Sequence, residues 1–90
     1  MKKLTQTYTV TQKHIDNSDR FGDSTQNPIA KAIREKLHRV VYAEEYGGDY
    51  DTSSGKIVYF EISKNVQTFL KNFYAGKKVK PFTFTITPLR

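Results

Sequence analysis

Leu4, Tyr8 and Val10 alternate with Thr5, Thr7, Thr9 and Thr11 at the start of the chain. A period of two with β-branched content predicts a strand over Leu4 to Thr11. Residues 12–26 break the pattern with Asp16, Asn17, Ser18, Gly22, Asp23 and Ser24, and read as a long loop with room for one helical turn around His14-Ile15-Asp16. Asn27-Pro28 then opens a helix, Asn as N-cap and Pro at the first helical position. Ile29, Ile33 and Leu37 recur at i, i+4 and i+8 with Ala30 beside them, one buried stripe. Lys31, Arg34, Glu35 and His38 fall on the other faces.

Val40 to Tyr46 predicts a second strand and Gly47 to Gly55 a flexible hairpin connection, since Gly, Asp and Ser mark turns. Lys56 to Ile62 is a third strand, with Val58, Phe60 and Ile62 toward the helices and Ile57, Tyr59 and Glu61 on the opposite face. Ser63 begins a second helix, whose Val66, Phe69, Leu70 and Phe73 make its apolar stripe; Gly76 ends it. Phe82 to Thr87 alternates again and closes at Pro88.

The order strand-helix-strand-strand-helix-strand predicts one α+β domain over residues 1–90. Its expected architecture is a ferredoxin-like sandwich, a four-stranded antiparallel sheet with two helices on one face. In that topology strands 1 and 3 are central and strands 2 and 4 are edges; Pro81 and Pro88, bracketing the last strand, suit an edge. The uncovered face should display Thr7, Thr9, Thr11, Ile57, Tyr59, Thr83 and Thr85. Its Ile57 and Tyr59 are what a dimer contact or a stacked base would use, and free edges also admit pairing of two copies.

Charge sharpens this outline. The net charge is +6, unevenly spread. Residues 1–40 hold eight Lys/Arg and four acids; residues 41–61 hold one Lys against Glu44, Glu45, Asp49, Asp51 and Glu61; residues 62–90 hold six basic residues and no acid. A basic balance favours an anionic partner. The predicted topology brings loop 12–26, loop 47–55 and the lysine turn to one rim. Arg20, Lys77, Lys78 and Lys80 would supply positive charge there, and Tyr46 and Tyr50 flat surfaces. A second basic rim, at the opposite end, comprises Lys2, Lys3, His38, Arg39, Lys64 and Arg90, beside the N-terminus of the second helix.

Signatures of catalysis and of metal or cofactor binding fail. There is no Cys for a nucleophile, a disulfide or a metal thiolate, and its absence favours a reducing, cytoplasmic address. His14 and His38 lie in different elements with no nucleophile motif nearby. Asp49 to Ser53 begins like a calcium loop, but Ser54 stands where the Gly is needed and Phe60 where the bidentate Glu is needed. No phosphate loop or dinucleotide fingerprint occurs, so no cofactor is expected. The basic-Gly-aromatic signature of an RNA-recognition module and the anion-loop arginine of acylphosphatases are missing as well. No apolar run is long enough to span a membrane.

Val10-Thr11-Gln12-Lys13-His14-Ile15-Asp16, Asn27-Pro28-Ile29-Ala30-Lys31-Ala32-Ile33-Arg34 and Phe69 to Phe84, with its Gly76-Lys77-Lys78-Val79-Lys80-Pro81 core, together resemble a group of small proteins encoded by bacteriophages and prophages. Members often carry Cys before the proline, where this chain has Asn27. The resemblance implies a viral accessory protein acting in the host cytoplasm by blocking a host factor. The expected function is therefore non-enzymatic binding of a host protein surface or a small anionic nucleotide through the loop-bearing rim. The alternative is nucleic-acid binding through the basic rims and the exposed sheet face.

Overall fold

The computed structural model describes residues 6–18, 24–44, 47–52 and 54–88. Five strands and three helices follow in the order β1 (Gln6–Val10), α1 (Gln12–Asp16), α2 (Pro28–Leu37), β2 (Val41–Glu44), β3 (Gly47–Asp51), β4 (Ile57–Ile62), α3 (Lys64–Tyr74) and β5 (Phe82–Pro88). The α+β class holds. The ferredoxin-like arrangement does not: the sheet is antiparallel, five-stranded, and ordered β1-β5-β4-β3-β2.

Two misreadings account for the difference. Gly47 and Gly48 look like a turn but begin β3, because Gly48 lies opposite Phe60. A Cβ on Gly48 would collide with the Phe60 ring and the Tyr42 carbonyl. The missing side chain makes room for an aromatic ring, a cross-strand use of glycine in sheets. The last strand, expected at an edge, lies between β1 and β4. Pro81 precedes its first residue and Pro88 is its last, so the lost N–H groups fall at the strand's ends and leave both ladders intact. β1, expected in the centre, is an edge.

The true edges are covered. Helix α2 lies against both β1 and β2, so it spans the two borders of a curled sheet. At the β2 border the Ala43 N–H donates to the Ser24 carbonyl at 2.9 Å, and the Ala43 carbonyl accepts from Asn27 Nδ2 at 2.7 Å. At the β1 border Lys36 Nζ donates to the Thr7 carbonyl at 2.9 Å. Occupied edge groups oppose strand-to-strand pairing of copies at these points.

Asn27 is fully buried and ties three elements together. Its Oδ1 accepts from the Ala30 N–H at 2.8 Å, capping α2, while Nδ2 donates to Ala43 and to Tyr74 Oη at 3.0 Å, at the end of α3. The helices and the inner sheet face share one core that includes Tyr8, Val10, Ile29, Ile33, Phe60, Leu70, Phe73 and Ile86. Tyr8 stacks on Phe84 with centroids 5.7 Å apart, and Lys36 Nζ lies 5.1 Å from its ring. Burial pushes the Tyr8 phenol up to about 12, and the nearby Tyr50 adds to the rise. That β1 senses β3 across the interior is a consequence of the curl.

Candidate functional site

The expected loop-bearing rim is not assembled. The lysine turn enters β5 at Phe82, which pairs with Val10, whereas the β3–β4 hairpin turns beyond the Asp51–Ile57 pair. Ile86 and Ile62 share a level in the sheet. Four residues along β5 and five along β4 therefore separate the two turns, roughly 30 Å at the usual rise per strand residue. Tyr50 is on β3 rather than in a loop; it faces inward, half-buried, with its ring 6.1 Å from that of Phe60. Arg20 and Tyr46 lie outside the described residues, as do Lys2, Lys3 and Arg90 of the second rim. Lys78 and Lys80 flank a groove over Phe69 and Phe82 beside α3, and Lys77 is exposed next to them. His38 and Arg39 are exposed after α2, and Lys64 is exposed at the start of α3. His38 faces a different neighbourhood, the cleft between α1 and α2.

The uncovered sheet face is as the alternation predicts for Thr7, Thr9, Ile57, Tyr59, Thr83 and Thr85, all exposed, whereas Thr11 lies beyond β1 and caps α1 instead. Its composition changes across the sheet. On β1 and β5 it is threonine, with Thr9 opposite Thr83 and Thr7 opposite Thr85. On β2, β3 and β4 the row Tyr42–Asp49–Tyr59 crosses three strands, and Asp51–Ile57 forms the next pair. Tyr59 is 57% exposed, Val40 53%, Ile57 52% and Tyr42 44%, the large hydrophobic side chains that the described fold leaves in solvent. Glu44 and Glu61 share this face, both exposed. The acidic segment legible in the sequence thus becomes an acidic, aromatic surface; its folding onto one sheet face required the unpredicted β3.

A second feature was missed from sequence. Helix α1 packs against α2 through His14, which is buried. Thr11 Oγ1 accepts from the His14 N–H, and the Thr11 N–H donates to His14 Nδ1 at 3.0 Å. Nδ1 therefore carries no proton, and Nε2–H donates to Glu35 Oε2 at 3.0 Å. Both ring nitrogens are engaged. Beside this pair opens a cleft of about 310 Å3 lined by Lys13, Asn17, Lys31, Arg34 and His38. The sequence placed Lys31, Arg34, Glu35 and His38 away from the apolar stripe of α2; the position of Lys13 depends on His14 docking α1.

Among the described residues no helix is long and apolar enough to cross a membrane, and no cluster of three or more His, Asp or Glu side chains could hold a metal. No protein-family model matches the chain, and comparison with curated proteins and with solved structures finds no match either.

Proposed function

We propose that this chain is a non-enzymatic binding protein that holds a basic segment of a partner protein on the outer face of β2, β3 and β4. The observation that carries this reading is the exposed Val40–Tyr42–Ile57–Tyr59 surface set among Glu44, Asp49, Asp51 and Glu61. Interface centres favour tyrosine, and an arginine guanidinium can stack on a tyrosine ring while pairing with a carboxylate beside it. Asp49, directly opposite both tyrosines, supplies that carboxylate. The same carboxylates repel phosphates, which disfavours a base stacked on Tyr59 within a nucleic-acid strand. Both nitrogens of the buried His14 serve the α1 cap and the contact with Glu35, a structural use of the ring that suits a binding protein. The likeness to small phage-encoded proteins makes a host factor the partner of choice.

The test is a fluorescence titration with an arginine-rich peptide interspersed with apolar residues, with a glutamate-rich peptide and a single-stranded oligonucleotide as comparators. Saturable binding of the basic peptide, weakened at least about ten-fold by Tyr42→Thr with Tyr59→Thr, is expected. Equal binding by the double variant, or tighter binding of the oligonucleotide, defeats the reading.

A further inference from the structure

The cleft between α1 and α2 collects Lys13, Lys31 and Arg34 around one concave surface, with His38 and the Asn17 amide at its margin. Crowding three permanent cations gains the fold nothing by itself, because each raises the cost of the others. Among the described residues none of the three is paired with a carboxylate; the acid in the lining, Glu35, is held by His14. Lys31 Nζ donates to a neutral partner, Gln26 Oε1, at 3.1 Å. With both histidines neutral, three cations and Glu35 leave the lining at a net charge of +2.

The scaffold holding these groups is fixed. The reciprocal Thr11–His14 cap sets α1, and the His14–Glu35 hydrogen bond docks it on α2. Arg34 and Lys31 stand one helical turn apart, so the planar guanidinium and an ammonium can address the same anion. Lys13 approaches from the facing helix.

We propose that this cleft binds a compact phosphate-bearing small molecule. An arginine fork flanked by lysines is the arrangement that recognises phosphoryl oxygens. About 310 Å3 is at the small end of ligand pockets. No Phe or Tyr lines the cleft, and the His14 ring is taken up by the cap and by Glu35, so the strongest recognition there is of charge. The phosphate end, rather than a base, supplies the affinity.

Calorimetric titration with pyrophosphate, inorganic phosphate and adenosine monophosphate tests this, with amide chemical shifts locating the site. Pyrophosphate should bind saturably and shift residues 13–17 and 31–38, and adenosine monophosphate should bind no tighter than pyrophosphate. Arg34→Gln should weaken pyrophosphate at least ten-fold and Lys13→Gln, at an exposed position that folding does not need, several-fold. Lys78→Gln with Lys80→Gln, an equal or larger loss of charge elsewhere, should leave it unchanged. If that control weakens binding as much as Arg34→Gln, the effect is general charge and the proposal fails. It fails too if a phosphopeptide or single-stranded DNA occupies the same residues far more tightly than pyrophosphate. Tyr59→Thr should not alter pyrophosphate binding, so this result stands or falls separately from the outer-face reading.

Discussion

The two halves of the outer sheet face meet the same solvent on the same ladder, yet solve the problem differently. On β1 and β5 the exposed positions are Thr7, Thr9, Thr83 and Thr85, and the Thr9 and Thr83 hydroxyls lie 3.5 Å apart. On β2 to β4 they are Tyr42, Ile57 and Tyr59 with the acids Glu44, Asp51 and Glu61, around a half-buried Asp49. Threonine satisfies β-propensity while staying wet. The threonine half shows that this sheet can face water without large apolar groups. The tyrosine half is therefore not a requirement of the fold, and its exposed apolar surface is what the proposed partner segment would cover.

Four perturbations probe that contrast. The largest effect is expected beneath the tyrosine half: Phe60→Ala should cost about 3–5 kcal/mol in denaturant unfolding, since the ring is buried between Gly48 and Tyr50. A loss below about 1 kcal/mol would mean that β3 is not held by this ring. Gly48→Ala should cost about 3 kcal/mol by forcing that ring and the Tyr42 carbonyl aside; a neutral result would make β3 a loop after all.

The third acts beneath the threonine half. Tyr8 has its phenol pushed up to about 12 by burial and by Tyr50, so the folded chain keeps a proton that the unfolded chain loses near pH 10. Stability is then fully present below pH 10 and falls as pH rises from about 10 toward 12, by about 2 kcal/mol at most. Tyr8→Phe should flatten this part of the pH–stability curve; an unchanged slope would assign the effect to other groups. The smallest is on the surface itself. Tyr59→Thr, which copies the threonine half onto β4, should change stability by no more than about 0.5 kcal/mol. A larger loss would make Tyr59 a structural residue and remove the main argument for a partner there.

Much of this was legible in the residues. The alternation in residues 7–11, 57–62 and 82–87 assigned each side chain to its face, and Asn27-Pro28 marked the start of α2, because both signals are local. Strand order was not legible. Which strand lies beside which depends on pairings between distant segments, and two local cues pointed the wrong way: a glycine pair of which Gly48 makes room for the Phe60 ring, and prolines that sit at strand ends without breaking a ladder. The expected meeting of Tyr50 with the three lysines inherited that error, while Arg20 and Tyr46 lie outside the described residues. The α1–α2 cleft escaped notice for a related reason. Lys31, Arg34 and His38 were placed on the outer faces of the helix, but nothing near Lys13 in the chain announces that His14 will bury itself against Glu35.

The first and last described strands of the chain are one pair: Thr9 meets Thr83 at a sequence separation of 74. A nascent chain emerging from the ribosome thus exposes β1 long before β5, its ladder partner among the described residues, has been made. The β2–β3–β4 meander can zip up early from neighbouring segments, whereas β1 stays unzipped until synthesis passes Thr83, so the sheet is completed only after its three meander strands have been made.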